Sequence, residues 1–156
     1  MIRKVVSGGQ TGVDRAALDV ALSLGVACGG WVPRGRRAED GRLPGRYPMR
    51  ETATAAYPQR TRLNVRDSDA TLVLTRGEPA GGTAFTLACA ERLERPSMLV
   101  DLTRPDLEQA AAIVRDWLLD KEVQVLNVAG PRESTAPGIA AEAAAFLRAV
   151  LADGRR

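Results

Sequence analysis

The stretch Val5-Val6-Ser7-Gly8-Gly9-Gln10-Thr11-Gly12-Val13-Asp14 decides how the chain reads. A β-branched run enters a glycine-rich turn, and the turn opens into a helix with Val13, Ala16, Ala17, Val20, Ala21 and Leu24 on one face. A strand, a glycine turn and a helix N-terminus in that order form an anion-binding device. The free N–H groups of the first helical turn and the positive end of the dipole converge on one spot. Glycine lets the backbone approach an oxyanion and admits φ > 0.

The pattern repeats downstream. Gly25 ends the first helix, and Val26-Ala27-Cys28 is a short second strand running into Gly29-Gly30-Trp31. Ala70 to Thr75 is a near-continuous apolar run, as expected of a central parallel strand. Strands at 98–102 and 123–128 follow, separated by apolar-striped helices to about Arg95, from Pro105, and after Pro137-Gly138. The tail 153–156 is expected to fray. Alternating strands and helices predict an α/β fold in three layers, with a mostly parallel five-stranded sheet. Two strand orders fit, 2-1-3-4-5 and 3-2-1-4-5. Ligands of such sheets sit beyond the carboxyl ends of the strands, where four of the five strands here meet glycine-bearing turns.

With 156 residues, the chain is expected to form one domain, 1–156, interrupted by a long Pro/Arg-rich loop at 31–59 that lacks sustained periodicity. Residues 60–66 are expected to form a short helix. No apolar run reaches the roughly 18 residues of a membrane span, so a cytoplasmic location is expected. Cys28 and Cys89 lack metal or redox spacing and are expected to be reduced, buried thiols. There is no histidine, which excludes Ser-His-Asp and Cys-His catalysis and histidine metal ligation. Residues 31–66 carry nine Arg against three acids, +6, while the remainder carries −3. That basic segment is a solvated face or a meeting place for an anion.

The first loop is neither a Walker A motif nor a dinucleotide fingerprint, since Ser7 stands where the first glycine should. Gly81-Gly82-Thr83 is expected to form a second backbone cradle at an adjacent strand end, and Gly130-Pro131-Arg132-Glu133-Ser134 to add an Arg fork, a carboxylate and a hydroxyl. Two cradles on one edge favour a phosphorylated small molecule.

The blocks Ser7 to Asp14, Gly30-Trp31-Val32-Pro33, Gly35 to Gly41, Tyr47-Pro48 with Glu51, Arg60-Thr61, Asn64-Val65, Ser68-Asp69, Gly81-Gly82-Thr83 and Asn127 to Ser134 resemble the molybdenum carrier family. The resemblance spans nearly the whole chain. It implies a Rossmann-like fold, kinship with the lonely-guy and DNA-processing proteins of the SLOG superfamily, a homo-oligomer, and molybdenum cofactor (molybdopterin) as ligand, with no protein-ligated metal. The ligand-binding candidates are Gly8, Gly9, Gln10, Thr11, Gly12, Asp14, Trp31, Arg60, Thr61, Gly81, Gly82, Thr83, Gly130, Arg132, Glu133 and Ser134. The loop from Trp31 to Tyr57 would cover the ring end of the ligand.

Lonely-guy enzymes cleave the N-glycosidic bond of nucleoside monophosphates with a glutamate that this chain replaces by Thr86. A hydroxyl cannot stabilise an oxocarbenium-like centre as a carboxylate does, which weighs against hydrolysis. Glu39, Asp40, Glu51 or Glu133 could substitute from another loop. Three functions therefore stand: a carrier, a nucleotide-processing enzyme such as a phosphoribohydrolase, and, last, a single-stranded nucleic-acid binder using the Arg/Tyr/Trp loop.

Overall fold

The computed structural model describes residues 1–152. In chain order its elements are β1 (Lys4–Val6), α1 (Val13–Leu24), β2 (Ala27–Gly29), β3 (Trp31–Val32), β4 (Arg37–Ala38), β5 (Gly41–Arg42) and β6 (Arg50–Glu51). There follow α2 (Tyr57–Arg66), β7 (Ala70–Thr75), α3 (Gly81–Arg92), β8 (Ser97–Asp101), α4 (Leu107–Asp120), β9 (Val125–Ala129) and α5 (Ile139–Ala152). The tail 153–156, expected to fray, lies outside the described residues.

The main sheet is parallel throughout, in the order β2-β1-β9-β7-β8. Neither order expected from sequence is correct, because the last strand inserts at the centre, between β1 and β7. Consequently β1 and β7, whose glycine turns were expected to be neighbours, are separated by β9. α1 and α4 pack on α5, and α2 packs on α3, forming a layer on each face as right-handed crossovers require. β7 is buried at all six positions, with Leu72 and Leu74 joining Val5, Leu126 and Val128 in the core against Val13, Ala17, Val114 and Leu147. Gly25 caps α1 in the left-handed conformation, its N–H bonding the Ala21 and Leu22 carbonyls.

The expected loop at 31–59 is ordered. Its four two-residue strands make two small sheets, β3 with β6 and β4 with β5. Val32, Leu43 and Tyr47 are each 1 % exposed and close a second apolar cluster with Leu18 of α1. The Tyr47 hydroxyl donates to Asp19 Oδ1 at 2.6 Å. Arg36, at φ 54°, donates to the carbonyls of Leu43, Pro44 and Tyr47. Arg15 forks onto Asp40 at 2.6 and 3.0 Å. The arginines of this segment thus include internal staples, and the segment packs on the side of α1.

At the opposite end of the sheet, Met1, Ile2, Val26, Leu118, Val123, Val150 and Leu151 line a shallow apolar cleft of about 120 Å³, which brings the two ends of the described chain together. Cys28 is half-buried and Cys89 buried; both are free thiols.

Candidate functional site

A cavity of about 850 Å³ opens at the carboxyl ends of β1, β9 and β7. Its floor is the loop after β1 with Asn127 and Ala129 of β9, one wall is α2, and the other is the N-terminus of α3 with the loop after β9. Ten of the sixteen candidates line it: Gly8, Gln10, Asp14, Arg60, Thr61, Gly81, Gly82, Thr83, Gly130 and Arg132. Gly9, Thr11, Gly12, Trp31, Glu133 and Ser134 do not.

The residues outside hold loops together. Gly12, at φ 83°, lies against the backbone of the loop after β9, and Val13 N–H donates to Pro131 O at 3.3 Å. The N-terminus of α1 is therefore covered by protein. A Cβ on Gly9 would meet Val32 and Leu43 at 2.9 and 3.0 Å. The β1 turn is glycine-rich because protein, not ligand, approaches it at these two positions. Trp31 exchanges backbone bonds with the Asn64 side chain at 2.7 and 3.0 Å, donates its indole N–H to Asp67, and stacks under Arg50. Glu133 caps α5, accepting from Gly138 N and Ala140 N at 2.5 and 3.1 Å. Glu39 accepts from the Thr11 hydroxyl and from Ser134 Oγ and N, which holds its carboxyl below the usual range, the Ser134 hydroxyl contributing most. Asp40 is bound to Arg15, and Glu51 accepts from Gly35 N. No carboxylate suggested as a replacement for the lonely-guy glutamate lines the cavity, and no residue of 31–56 covers it. Of the expected loop 31–59, Tyr57 and Pro58, which belong to α2, line the cavity.

Inside, Arg60 is 9 % exposed and lies over Gly8. Its Nη1 donates to Gly8 O at 2.5 Å and stands 3.7 Å from Asp14 Oδ2. Burial pushes the Asp14 carboxyl up to about 6, opposed by the Arg60 charge and by the amides of Gln10 and Gly130 that bond it. Burial also pushes the Arg60 guanidinium down. The Arg132 guanidinium makes no hydrogen bond or ion pair among the described residues; it lies 5.4 Å from the Tyr57 ring centre, where Arg37 and Arg60 also stack. Arg76, by contrast, is held by Glu142 and Pro137 O.

The anion-binding potential sits on α3. Its cap residue Ala80 offers no side-chain bond, and among the described residues the amides of Gly81 and Gly82 find no acceptor. A Cβ on either glycine would meet nothing within 4 Å. These acceptor-less amides stand at the positive end of a twelve-residue helix that lines the cavity, with the buried Thr83 beside them. Thr86 spends its hydroxyl on Gly82 O at 3.0 Å. Gln10 is 4 % exposed; its side-chain Oε1 accepts from Thr11 N and Glu39 N at 3.1 and 2.8 Å, and its buried Nε2 has no partner among the described residues.

Sequence reasoning missed the lining residues Asn64, Arg76, Glu78, Phe85 and Asn127. Asn127 carried a signal: a buried amide within the apolar strand Val125-Leu126-Asn127-Val128 needs a reason, and here it donates to Thr71 Oγ1 and lines the cavity. Among the described residues there is no group of three or more His, Cys, Asp or Glu able to hold a metal ion, and no helix long and apolar enough to cross a membrane.

No curated protein sequence matches the chain. A crystal structure described as "Putative molybdenum carrier protein", from Syntrophus aciditrophicus SB, is 45 % identical, covers 96 % of this chain with 95 % of its own, and superposes with a TM-score of 0.94. The model of the circularly permutated YpsA SLOG family matches residues 5–151. The inserted central strand agrees with that description, for a chain begun at β7 would have the order 2-1-3-4-5, with β7 and β9 flanking its topological switch point. The chain belongs to the circularly permutated YpsA SLOG family, and its fold is that of a Rossmann-like SLOG protein.

Proposed function

We propose that the protein is a carrier of molybdenum cofactor or of a related phosphorylated pterin or nucleotide, held in the cavity at the ends of β1, β9 and β7. The observation that carries this is the pair of open amides at Gly81 and Gly82, with the unpaired Arg132 on the same cavity. A phosphate there gains two backbone donors, the helix dipole and a guanidinium, without any rearrangement of the fold. The molybdenum would travel as cargo on its organic ligand, which requires no metal site in the protein. Homo-oligomeric assembly in the cytoplasm belongs to the same proposal and is checked by sedimentation of the purified protein.

Anaerobic purification followed by native mass spectrometry tests the ligand. A co-purifying phosphorylated compound is expected, and Gly82→Asp should abolish it. Gly82 has no positive φ and open space around it, and an acid in the first turn suits the helix, so the variant folds while its carboxylate occupies the anion position. Equal loading of both proteins would overturn the phosphate site.

The second reading, nucleotide hydrolysis, is favoured by Asp14: a carboxyl on the cavity wall with a pKa of about 6 is suited to proton transfer near neutrality. Release of free base from AMP on incubation, followed by chromatography, decides for it.

A further inference from the structure

We infer that Arg60 and Arg132 form a second anion subsite in the cavity that the α3 amides line, so that the ligand is held by two linked phosphates, a diphosphate, rather than by one. The inference rests on the phosphorylated-ligand proposal above and goes further by naming the class of anion the cavity accepts.

The argument starts from charge. On the α2 wall the guanidiniums of Arg60 and Arg132 stand 5.2 and 5.4 Å from the centre of the Tyr57 ring, and all three residues line the cavity. Arg37, outside the cavity, stacks on the same ring at 4.7 Å. Like charges gathered on one ring repel: burial pushes the Arg60 guanidinium down, Asp14 opposes this, and the Arg132 charge adds to it. Against these three cations the described residues place one carboxylate within ion-pair distance, Asp14 at 3.7 Å from Arg60 Nη1, and burial pushes that carboxyl up to about 6. Glu39 interacts with Arg132 without forming an ion pair, its oxygens being bound to Thr11 and Ser134. Glu78, the remaining carboxylate on the cavity, is exposed and forms no ion pair among the described residues. An anion between the two forks relieves the repulsion that the fold leaves uncompensated.

Both forks have donors to give. Arg60 spends Nε on Thr61 Oγ1 at 3.2 Å and Nη1 on Gly8 O at 2.5 Å. Its Nη2 makes no bond among the described residues and is not sealed in protein, and the open side of Arg60 is the cavity. A Cβ on Gly8 would collide with the Arg60 guanidinium, so that glycine is the seat holding Arg60 in place. Arg132 has its whole fork uncommitted. It springs from the loop after β9, on the wall shared with α3, yet its guanidinium lies over Tyr57 of the α2 wall, so its side chain links the two anion positions. A first phosphate on the Gly81 and Gly82 amides leaves a second to Arg132, with Arg60 closing on it from α2. The cavity, at about 850 Å³, lies high in the roughly 300–1,000 Å³ span of small-molecule sites and has room for a diphosphate and the group it carries.

ADP and AMP differ by one phosphate, and isothermal titration with each at pH 7.5, without divalent cations, tests the inference. ADP is expected to bind at least about tenfold more tightly, the ratio that one added charge-assisted contact supplies. Arg132→Gln removes a fork that holds no hydrogen bond of the fold, and should bring the ratio close to one. Arg34→Gln, the same loss of charge at an exposed residue outside the cavity, should leave the ratio unchanged. Arg60→Lys keeps a charge facing Asp14 but loses the fork, and should shrink the ratio while circular dichroism stays the same. Equal binding of the two nucleotides by the unaltered protein, both abolished by Gly82→Asp, would overturn the second subsite and leave the α3 site standing. A preference that survives Arg132→Gln, or that falls as far in Arg34→Gln, would be general attraction between a basic protein and the more charged nucleotide, and would overturn the subsite as well. Binding of neither nucleotide at millimolar concentration would remove the phosphate site and this inference together.

Discussion

Gly12 is held at φ 83° with the backbone of Pro131 to Glu133 against the position a Cβ would take, whereas Gly82 has ordinary φ and empty space around it. The two glycines therefore answer to different demands, one to packing and one to an incoming ligand. Gly12→Ala should cost about 3 kcal/mol or more in urea unfolding, from left-handed strain plus displaced backbone. Gly82→Ala should be neutral or stabilise by up to about 1 kcal/mol, since alanine is the better helix former. Asp14 gives a pH signature. Folding raises its carboxyl from 3.8 to about 6, so between those values the folded chain binds more protons than the unfolded chain. Its contribution to stability consequently falls as pH rises through that window, by about 3 kcal/mol in all. Asp14→Asn removes this titration. The variant should gain on the unaltered protein between pH 3.5 and 7, as measured by chemical unfolding at each pH; a constant difference across that range would contradict the buried carboxyl.

Among the elements, those legible in the sequence were the ones with enough residues to show a period. Ala70–Thr75 reads as a central strand and is buried at every position; Val13–Leu24 reads as a one-faced helix and is one. The segment 31–59 could not be read because its strands are two residues long and its order comes from side chains bonding distant carbonyls. Arg36 reaching Leu43, Pro44 and Tyr47 has no periodic signature. The site was legible in part for a related reason. Glycines announce that something approaches closely, but not whether it is ligand or protein: Gly81 and Gly82 face open space, and Gly9 and Gly12 face other segments. Glu39→Ala tests how the segment is fastened. With its bonds to Thr11 and Ser134 gone, amide exchange across 31–56 should accelerate while α3 and β7 keep their protection. Unchanged exchange would mean that the Val32–Leu43–Tyr47 cluster suffices.

For the molecule as a whole, the strand order was out of reach of a local reading, since nothing within Val125–Ala129 says that it enters between β1 and β7 rather than at an edge. The order fixes the site: placing β9 at the centre brings the turns after β1, β9 and β7 to one cavity. The shared cleft at the other end of the sheet, where Met1 and Ile2 lie beside Val150 and Leu151, makes the present chain start only one of several workable cuts. A short glycine-serine bridge across that cleft, with new ends opened in the exposed stretch 53–56, would give a gene that begins at α2 and reads its strands in the unpermuted sequence. Such a rewired protein should reproduce the parent's circular dichroism and retain the same small molecule, since every tertiary contact described above is indifferent to where translation starts.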